Sequence, residues 1–277
     1  MDPLLPQKSH LFHTLHHAPR AFIIPNPWDI GTAKLLAGMG FQALATTSAG
    51  YAYTRGLSDY QVTRDQMLAH VKELTAATDL PISADMESGY ADTLEEVAET
   101  YRLTAQAGAV GASIEDATGR PDDPIYELAK AVDRVTAAVE TVRALPYPFM
   151  LTARAENHLH GRTDLKDTIR RLQAYQEAGA DVLYAPGLRT REDILAVVRS
   201  VDRPVNVLMG SPGMHFTLDE LSDMGVKRIS VGSALSRAAF GAFLHAGREM
   251  AEHGTFTFSE EAVSYADMAR LFGPGSP

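Results

Sequence analysis

Residues 80–89 read LPISADMESG, a short apolar run that closes on two carboxylates, Asp85 and Glu87, and then a glycine. Alternate residues of an extended strand face the same side. Both acids therefore project from one face at the strand's C-terminal end. Residues 111–116, GASIED, repeat the plan with Glu115 and Asp116, and residues 149–157, FMLTARAEN, close on Arg154. Acids and an arginine gathered at the ends of successive strands point to a cation and an anionic substrate held together.

Outward from this stretch one phrase recurs: a helix closes on glycine and an apolar strand follows. It appears at residues 39–48 (MGFQALATTS), 107–116 (AGAVGASIED), 178–187 (AGADVLYAPG) and 224–233 (MGVKRISVGS). Further strands are expected at 22–25 and, after prolines, at 81–85, 148–154 and 204–209. Helical periodicity covers 30–37, 64–77, 93–107, 128–145, 164–178, 191–200, 218–224 and 234–253, with Thr93 and Thr190 as capping residues. Eight alternating strand–helix units with no break in composition predict the α/β class and one (β/α)8 TIM barrel spanning residues 1–277. An open doubly wound sheet is disfavoured because no GxGxxG turn follows the first strand. Residues 10–17 read as a short amphipathic helix. Residues 255–277 form an extra C-terminal helical region, whose amphipathic part, 260–272, is expected to dock on its own barrel or on a neighbour.

The 277-residue length and the 45% hydrophobic and 22% charged fractions are those of a soluble globular domain. A net charge of −10 argues against nucleic acid as a partner. The absence of cysteine removes disulfides, thiolate metal sites and thiol nucleophiles, and fits a cytoplasmic protein. No signal peptide is expected. Residues 35–54 carry no charge, but Gly38, Gly40, Gln42 and Gly50 interrupt them, so no membrane span is expected either. His10, His13, His16 and His17 are expected on a mobile surface. No HExxH, GxSxG or P-loop occurs.

In a barrel the chemistry lies at the C-terminal strand ends. Asp85, Glu87 and Glu115 there form an all-oxygen set suited to Mg²⁺, with Mn²⁺ as the second choice. Arg154 either makes a structural pair with Glu156 or Glu115, or grips a carboxylate or enolate oxygen. Residues 47–50 offer backbone N–H groups and hydroxyls to an anion. Asn206 joins them from the strand at 204–209, and His158 and His160 follow the strand that bears Arg154. Ala185-Pro186-Gly187 leaves the next strand end neutral.

Taken together, PNPWD (25–29), TTSAG (46–50), GLSD (56–59), ADMESGYAD (84–92), SIEDATG (113–119) and TARAEN (152–157) resemble the isocitrate lyase/phosphoenolpyruvate mutase superfamily over residues 22–243. The resemblance implies a barrel that uses a divalent metal, usually Mg²⁺, on a substrate that passes through the enolate of an α-keto acid. Asp85 would be the direct metal ligand, with Glu87 and Glu115 holding metal-bound waters. Thr47, Ser48 and Ala49 would bind the substrate carboxylate, Arg154 its other oxygens, and Asp59 would sit on a mobile loop over the site. Members are typically tetramers that exchange the eighth helix between paired subunits, which implies a homotetramer here. Three departures matter. The lyases' cysteine loop is replaced by the short residues 119–126, GRPDDPIY. The asparagine loop of the phosphonate enzymes is absent, and Glu87 stands where aspartate is usual. The expectation is a magnesium-dependent carbon–carbon lyase or oxaloacetate-type decarboxylase. Its substrate would be a small α-keto or 2-hydroxy dicarboxylic acid, with Asp59, Arg154 and Glu115 in catalytic roles and Tyr51 or Tyr53 as other bases. Carbon–phosphorus chemistry, as in a phosphonomutase or phosphonopyruvate hydrolase, and a keto-acid-binding barrel with little turnover are the alternatives.

Overall fold

The computed structural model describes residues 3–273. In chain order it runs α1 (Leu5–His17), β1 (Phe22–Ile24), α2 (Ile30–Gly38), β2 (Leu44–Ala45), α3 (Ser48–Thr54), α4 (Arg64–Ala77), β3 (Ile82–Asp85), α5 (Leu94–Gln106), β4 (Gly111–Glu115) and α6 (Leu128–Arg143). It continues with β5 (Met150–Arg154), α7 (Leu165–Glu177), β6 (Val182–Tyr184), α8 (Arg191–Ser200), β7 (Val205–Leu208), α9 (Leu218–Asp223), β8 (Arg228–Ser230), α10 (Ala234–His253), a 3₁₀ turn (Thr257–Glu260) and α11 (Tyr265–Phe272). All eight strands lie in one parallel sheet, in the order β1-β8-β7-β6-β5-β4-β3-β2. The ends of that series meet where the Ala45 N–H donates to the Pro25 carbonyl at 3.1 Å, which nearly closes the barrel. The expected (β/α)8 TIM barrel with additional C-terminal helices is the observed fold.

Local chemistry accounts for the helix starts. Asp29, Thr63, Thr93 and Thr217 each accept a hydrogen bond from the third helical N–H, and that third residue's side chain accepts one from the cap's own backbone N–H. The apolar faces of α5, α6 and α7 bury residues such as Val97, Val135 and Leu172 against the strands. The four C-terminal residues 274–277 of the expected extension lie outside the described residues. Among the described residues no helix is long and apolar enough to cross a membrane.

Three expectations need correcting. The first helix begins at Leu5 rather than at residue 10, with Pro6 in its first turn, where a missing N–H costs nothing. Its histidines are not all superficial: His16 is 1% exposed, edge-on to the Phe12 and Phe22 rings. This helix packs against the barrel, and a Cβ at Gly111 would fall 2.6 Å from the Phe12 ring and 2.9 Å from the Met150 carbonyl. The third correction concerns residues 46–50, which do not simply end a strand. Thr47 caps α3, and its side chain accepts from the Gly50 N–H at 3.2 Å.

Beyond the barrel, α10 projects an apolar face into solvent, with Phe243 72% exposed and Leu244 50% exposed. Helix α11 returns to touch α2, where Phe272 lies beside Gly31.

His16 makes the fold acid-sensitive. Its Nδ1 lies 2.8 Å from the Phe12 carbonyl, and burial pulls its pKa down to about 3, helped by the Arg228 charge. The unfolded chain takes up a proton near pH 6.5 and the folded one does not, so stability falls as pH drops from 6.5 towards 3. The expected loss from this residue is roughly 2 kcal/mol by pH 5. Denaturant titrations at pH 7.5 and pH 5 on the wild type and on His16→Leu check this. The substitution should flatten the pH dependence by about that amount.

Candidate active site

Part of the expected set lines a cleft of about 160 Å³ at the C-terminal ends of the strands, while Glu87, Glu115 and Asn206 lie outside its lining. Asp85 and Arg154 line it, together with Thr47, Ser48, Ala49 and Asp59. Strand register brings the charges together. β3 pairs with β4 so that Asp85 faces Ser113, and β4 pairs with β5 so that Glu115 faces Arg154.

Arg154 binds three acids at once. Its Nη1 donates to Asp85 Oδ1 at 3.0 Å and its Nε to Glu156 Oε1 at 2.7 Å, and Nη2 lies 3.1 Å from Glu115 Oε2. Guanidinium carries five N–H bonds. One hydrogen each on Nη1 and Nη2 therefore remains for a ligand. Two serines also position Asp85. Ser113 Oγ donates to its Oδ1 at 3.2 Å, and the Ser48 N–H and hydroxyl reach its Oδ2 at 3.0 and 3.1 Å. The Ser48 N–H, expected to meet a substrate anion, is thus already engaged by Asp85.

Asp59 Oδ1 lies 3.1 Å from the same Ser48 hydroxyl. Burial, and then the charge of Asp85, raise the Asp59 pKa above the ordinary aspartate range. Glu87 sits behind the cleft at the left-handed backbone angle φ 46°, 6% exposed, with Oε1 lacking any hydrogen-bond partner. Burial, Asp85 and Asp59 push its pKa up to about 8. Glu115 is raised well above its usual value by burial, against the pull of Arg154, and accepts a 2.6 Å hydrogen bond from the Tyr60 hydroxyl.

The sequence did not reveal Tyr60. It takes φ 63°, and its ring packs on Gly119, where a Cβ would come within 3.2 Å of it. A second unforeseen residue is Arg228 on β8, which lines the cleft floor. Its Nε donates to Asn206 Oδ1 at 2.9 Å, while its Nη1 is buried without a partner. Burial pulls its pKa down to about 10. The one signal for it was parity, since Arg228 and Ser230 share a strand face.

Other expected residues fall elsewhere. Asn206 lies beneath the floor, donating from Nδ2 to Ser230 Oγ at 2.9 Å. Asp116 faces away from the cleft and is consumed by Arg171 at 3.0 Å, the Tyr175 hydroxyl at 2.6 Å and the Glu156 N–H at 2.8 Å. Tyr51 stacks on His70 at 4.0 Å and Tyr53 meets Phe240, so neither reaches the cleft. His158 and His160 do not line it, although Leu159 between them does.

Among the described residues no group of three or more acids and histidines is arranged as direct metal ligands. The side chains nonetheless fit a hydrated divalent cation. Asp85 reaches the cleft, Glu87 Oε1 is buried and unpaired beside the Tyr90 hydroxyl, and among the described residues Arg154 is the cation set against Asp59, Asp85, Glu87, Glu115 and Glu156. Mg²⁺ keeps several of its waters, so a single direct carboxylate with others acting through water is enough to hold it.

The sequence matches the phosphoenolpyruvate phosphomutase family over residues 12–251. The chain belongs to that family. Its superfamily is the isocitrate lyase/phosphoenolpyruvate mutase superfamily, as the resemblance implied. A Burkholderia cenocepacia J2315 protein described as a candidate lyase/mutase has a crystal structure that superposes with a TM-score of 0.95 at 58% identity, covering 99% of this chain and 98% of that one. The 2-methylisocitrate lyase of Escherichia coli K12 is 30% identical over 221 residues, 75% of this chain and 73% of its own. An oxaloacetate decarboxylase of Bradyrhizobium diazoefficiens is 30% identical over 183 residues, 64% of this chain and 62% of its own.

Arg154→Met removes the counter-charge from three carboxylates at once. Breaking a buried ion pair from one side typically costs about 3–5 kcal/mol. Urea titration of this variant should show a loss of at least the lower figure. A midpoint within error of the wild type would mean that the acids are not charged around Arg154.

Proposed function

We propose that the protein is a magnesium-dependent carbon–carbon lyase or decarboxylase acting on a small α-keto or 2-hydroxy dicarboxylic acid. The observation that carries this is the pairing of Asp85 and Arg154 in one cleft, with the guanidinium keeping free hydrogens beside a fixed carboxylate. Relatedness to lyases and decarboxylases supports the carbon–carbon class. Asp85 would hold the cation directly, and Glu87 and Glu115 would hold it through water. When bound, the cation would draw electron density from the substrate's 2-oxygen and favour the enolate.

The chain's own residues do the rest. Arg154 directs its free N–H bonds at the substrate oxygens and fixes their plane. Thr47 and Ala49 line the wall beside Ser48, which orients Asp85. Asp59 is the proton-handling group: its raised pKa and its contact with the Ser48 hydroxyl suit a carboxyl that accepts and returns a proton. Glu115, clamped by Tyr60 and Arg154, holds that guanidinium in place.

The test is a panel of 2-oxo and 2-hydroxy dicarboxylic acids, with product release followed with and without EDTA. Turnover is expected for at least one, abolished by chelation and lowered at least about a thousandfold in Asp85→Ala, the scale of losing a key electrostatic group. No turnover of any acid by folded protein would overturn the proposal. Phosphonopyruvate in the same panel, followed by phosphorus NMR, separates carbon–phosphorus chemistry. Binding of keto acids without product over hours would mark a barrel that only binds.

The exposed apolar face of α10 is proposed to be covered by a second copy of the chain, in a homotetramer that exchanges this helix. Phe243 at 72% exposure and Phe256 at 65% are costly to leave in water. Analytical ultracentrifugation should show a tetramer for the wild type and smaller species for Phe243→Glu. A wild-type monomer would exclude it.

A further inference from the structure

Two guanidinium groups border the cleft, and their surroundings are opposite. Arg154 is hemmed in by acids, whereas Arg228 is 4% exposed, and no carboxylate acts on it. Arg154 repels it, and the neighbouring Tyr184 and His16 side chains bring no negative charge at neutral pH. Asn206 fixes its orientation, because the Asn206 amide is locked between Arg228 Nε at 2.9 Å and Ser230 Oγ at 2.9 Å. That leaves the outer edge of the guanidinium, Nη1 and Nη2, without a protein acceptor, and Nη1 is buried with no partner at all. A buried cation with an unsatisfied donor destabilises the fold unless an anion neutralises it. Among the described residues no carboxylate does so.

We propose that Arg228 is the specificity residue of this site and binds the distal carboxylate of a dicarboxylic substrate. The inference rests on the functional reading above and names the group that reads the second acid. A planar carboxylate matches the Nη1/Nη2 edge in a two-bond fork. A phosphono group carries more charge and three oxygens, and one guanidinium whose Nε is already committed serves it less well. The substrate then spans the cleft, with its 2-oxygen end at Asp85 and Arg154 and its second carboxylate on the floor. Asn206 acts as a positioning residue, through Arg228.

Calorimetric binding in magnesium-containing buffer tests this with malate and lactate, which differ only in the distal carboxylate. The wild type should bind malate at least tenfold more tightly than lactate. Arg228→Met should bring that ratio to near one while lactate affinity stays within threefold. Arg228→Lys, which keeps the charge and loses the fork, should fall between. Removing an unpaired buried charge should leave the melting temperature of Arg228→Met unchanged or raised. A ratio unaffected by Arg228→Met overturns the inference, as does a collapse of folding in both variants, which would make Arg228 a structural residue. Tighter, Arg228-dependent binding of 3-phosphonolactate than of malate overturns the choice of a carboxylate. Equal binding of malate and lactate, both weakened by Asp85→Asn, overturns the role of Arg228 and leaves the function standing. Failure of both acids to bind the wild type overturns the function as well.

Discussion

The guanidinium of Arg154, set among Asp85, Glu115 and Glu156, is the interaction on which the site depends. Carboxylates this buried cannot all stay ionised beside one another without a counter-charge. One fork reaching three of them, at 3.0, 3.1 and 2.7 Å, fixes their positions relative to strands β3, β4 and β5. Lysine offers a point charge and could not satisfy three directions in one plane. The face of Tyr184, 5.1 Å from the guanidinium carbon, supports the plane from β6. The barrel supplies the register, and the arginine turns it into a rigid electrostatic frame.

Strand alternation sorts the acids into two kinds. Glu115 and Asp116 are adjacent in sequence and face opposite ways. Glu115 looks towards Arg154 and is sealed by Tyr60, while Asp116 looks outward to Arg171 and Tyr175. The outer cluster ties the end of β4 to α7 and leaves no free acceptor for a ligand. The inner cluster is the opposite case, with several carboxyls around one guanidinium and both Glu87 Oε1 and the neighbouring Tyr90 hydroxyl unpaired. Left-handed backbone at Glu87, Tyr90 and Tyr60 surrounds it, the kind of strain that clusters at functional sites.

The strand-end acids and Arg154 were readable because the period of two and the glycine-to-strand phrase repeat along the chain. The barrel followed from that repetition and needed no tertiary information. What escaped the sequence is what depends on contacts between distant elements. Ser48 reads as a strand-end hydroxyl, yet a helix begins there and its N–H is spent on Asp85. His16 belongs to a run of histidines that looks solvated, and only its packing against Phe12 and Phe22 reveals its burial. Arg228 lies in the stretch 224–233, read as a strand, but as a charged residue near its start it gave no sign of burial. Its burial is set by pairing with Phe22 on one side and Asn206 on the other. Tyr60 lies in a loop, and nothing local says that its hydroxyl reaches Glu115 fifty-five positions away.

The short loop over residues 119–126 bears on which reaction the cleft favours. It is pinned by the Ala117–Ile125 bridge, by Thr118 to the Pro124 carbonyl at 2.9 Å, and by Gly119 against Tyr60, and none of residues 119–126 lines the cleft. It brings no thiol and no imidazole to the cleft, where Asp59, the proton-handling group proposed above, stands against the Ser48 hydroxyl. A reaction that releases carbon dioxide needs no proton for the departing fragment and one for the enolate left behind, a demand that one carboxyl meets. A cleavage that releases a second carboxylate fragment needs its own base and acid on the far side. There the cleft presents Pro186, Leu208 and the unpaired Arg228, none of which moves a proton at neutral pH.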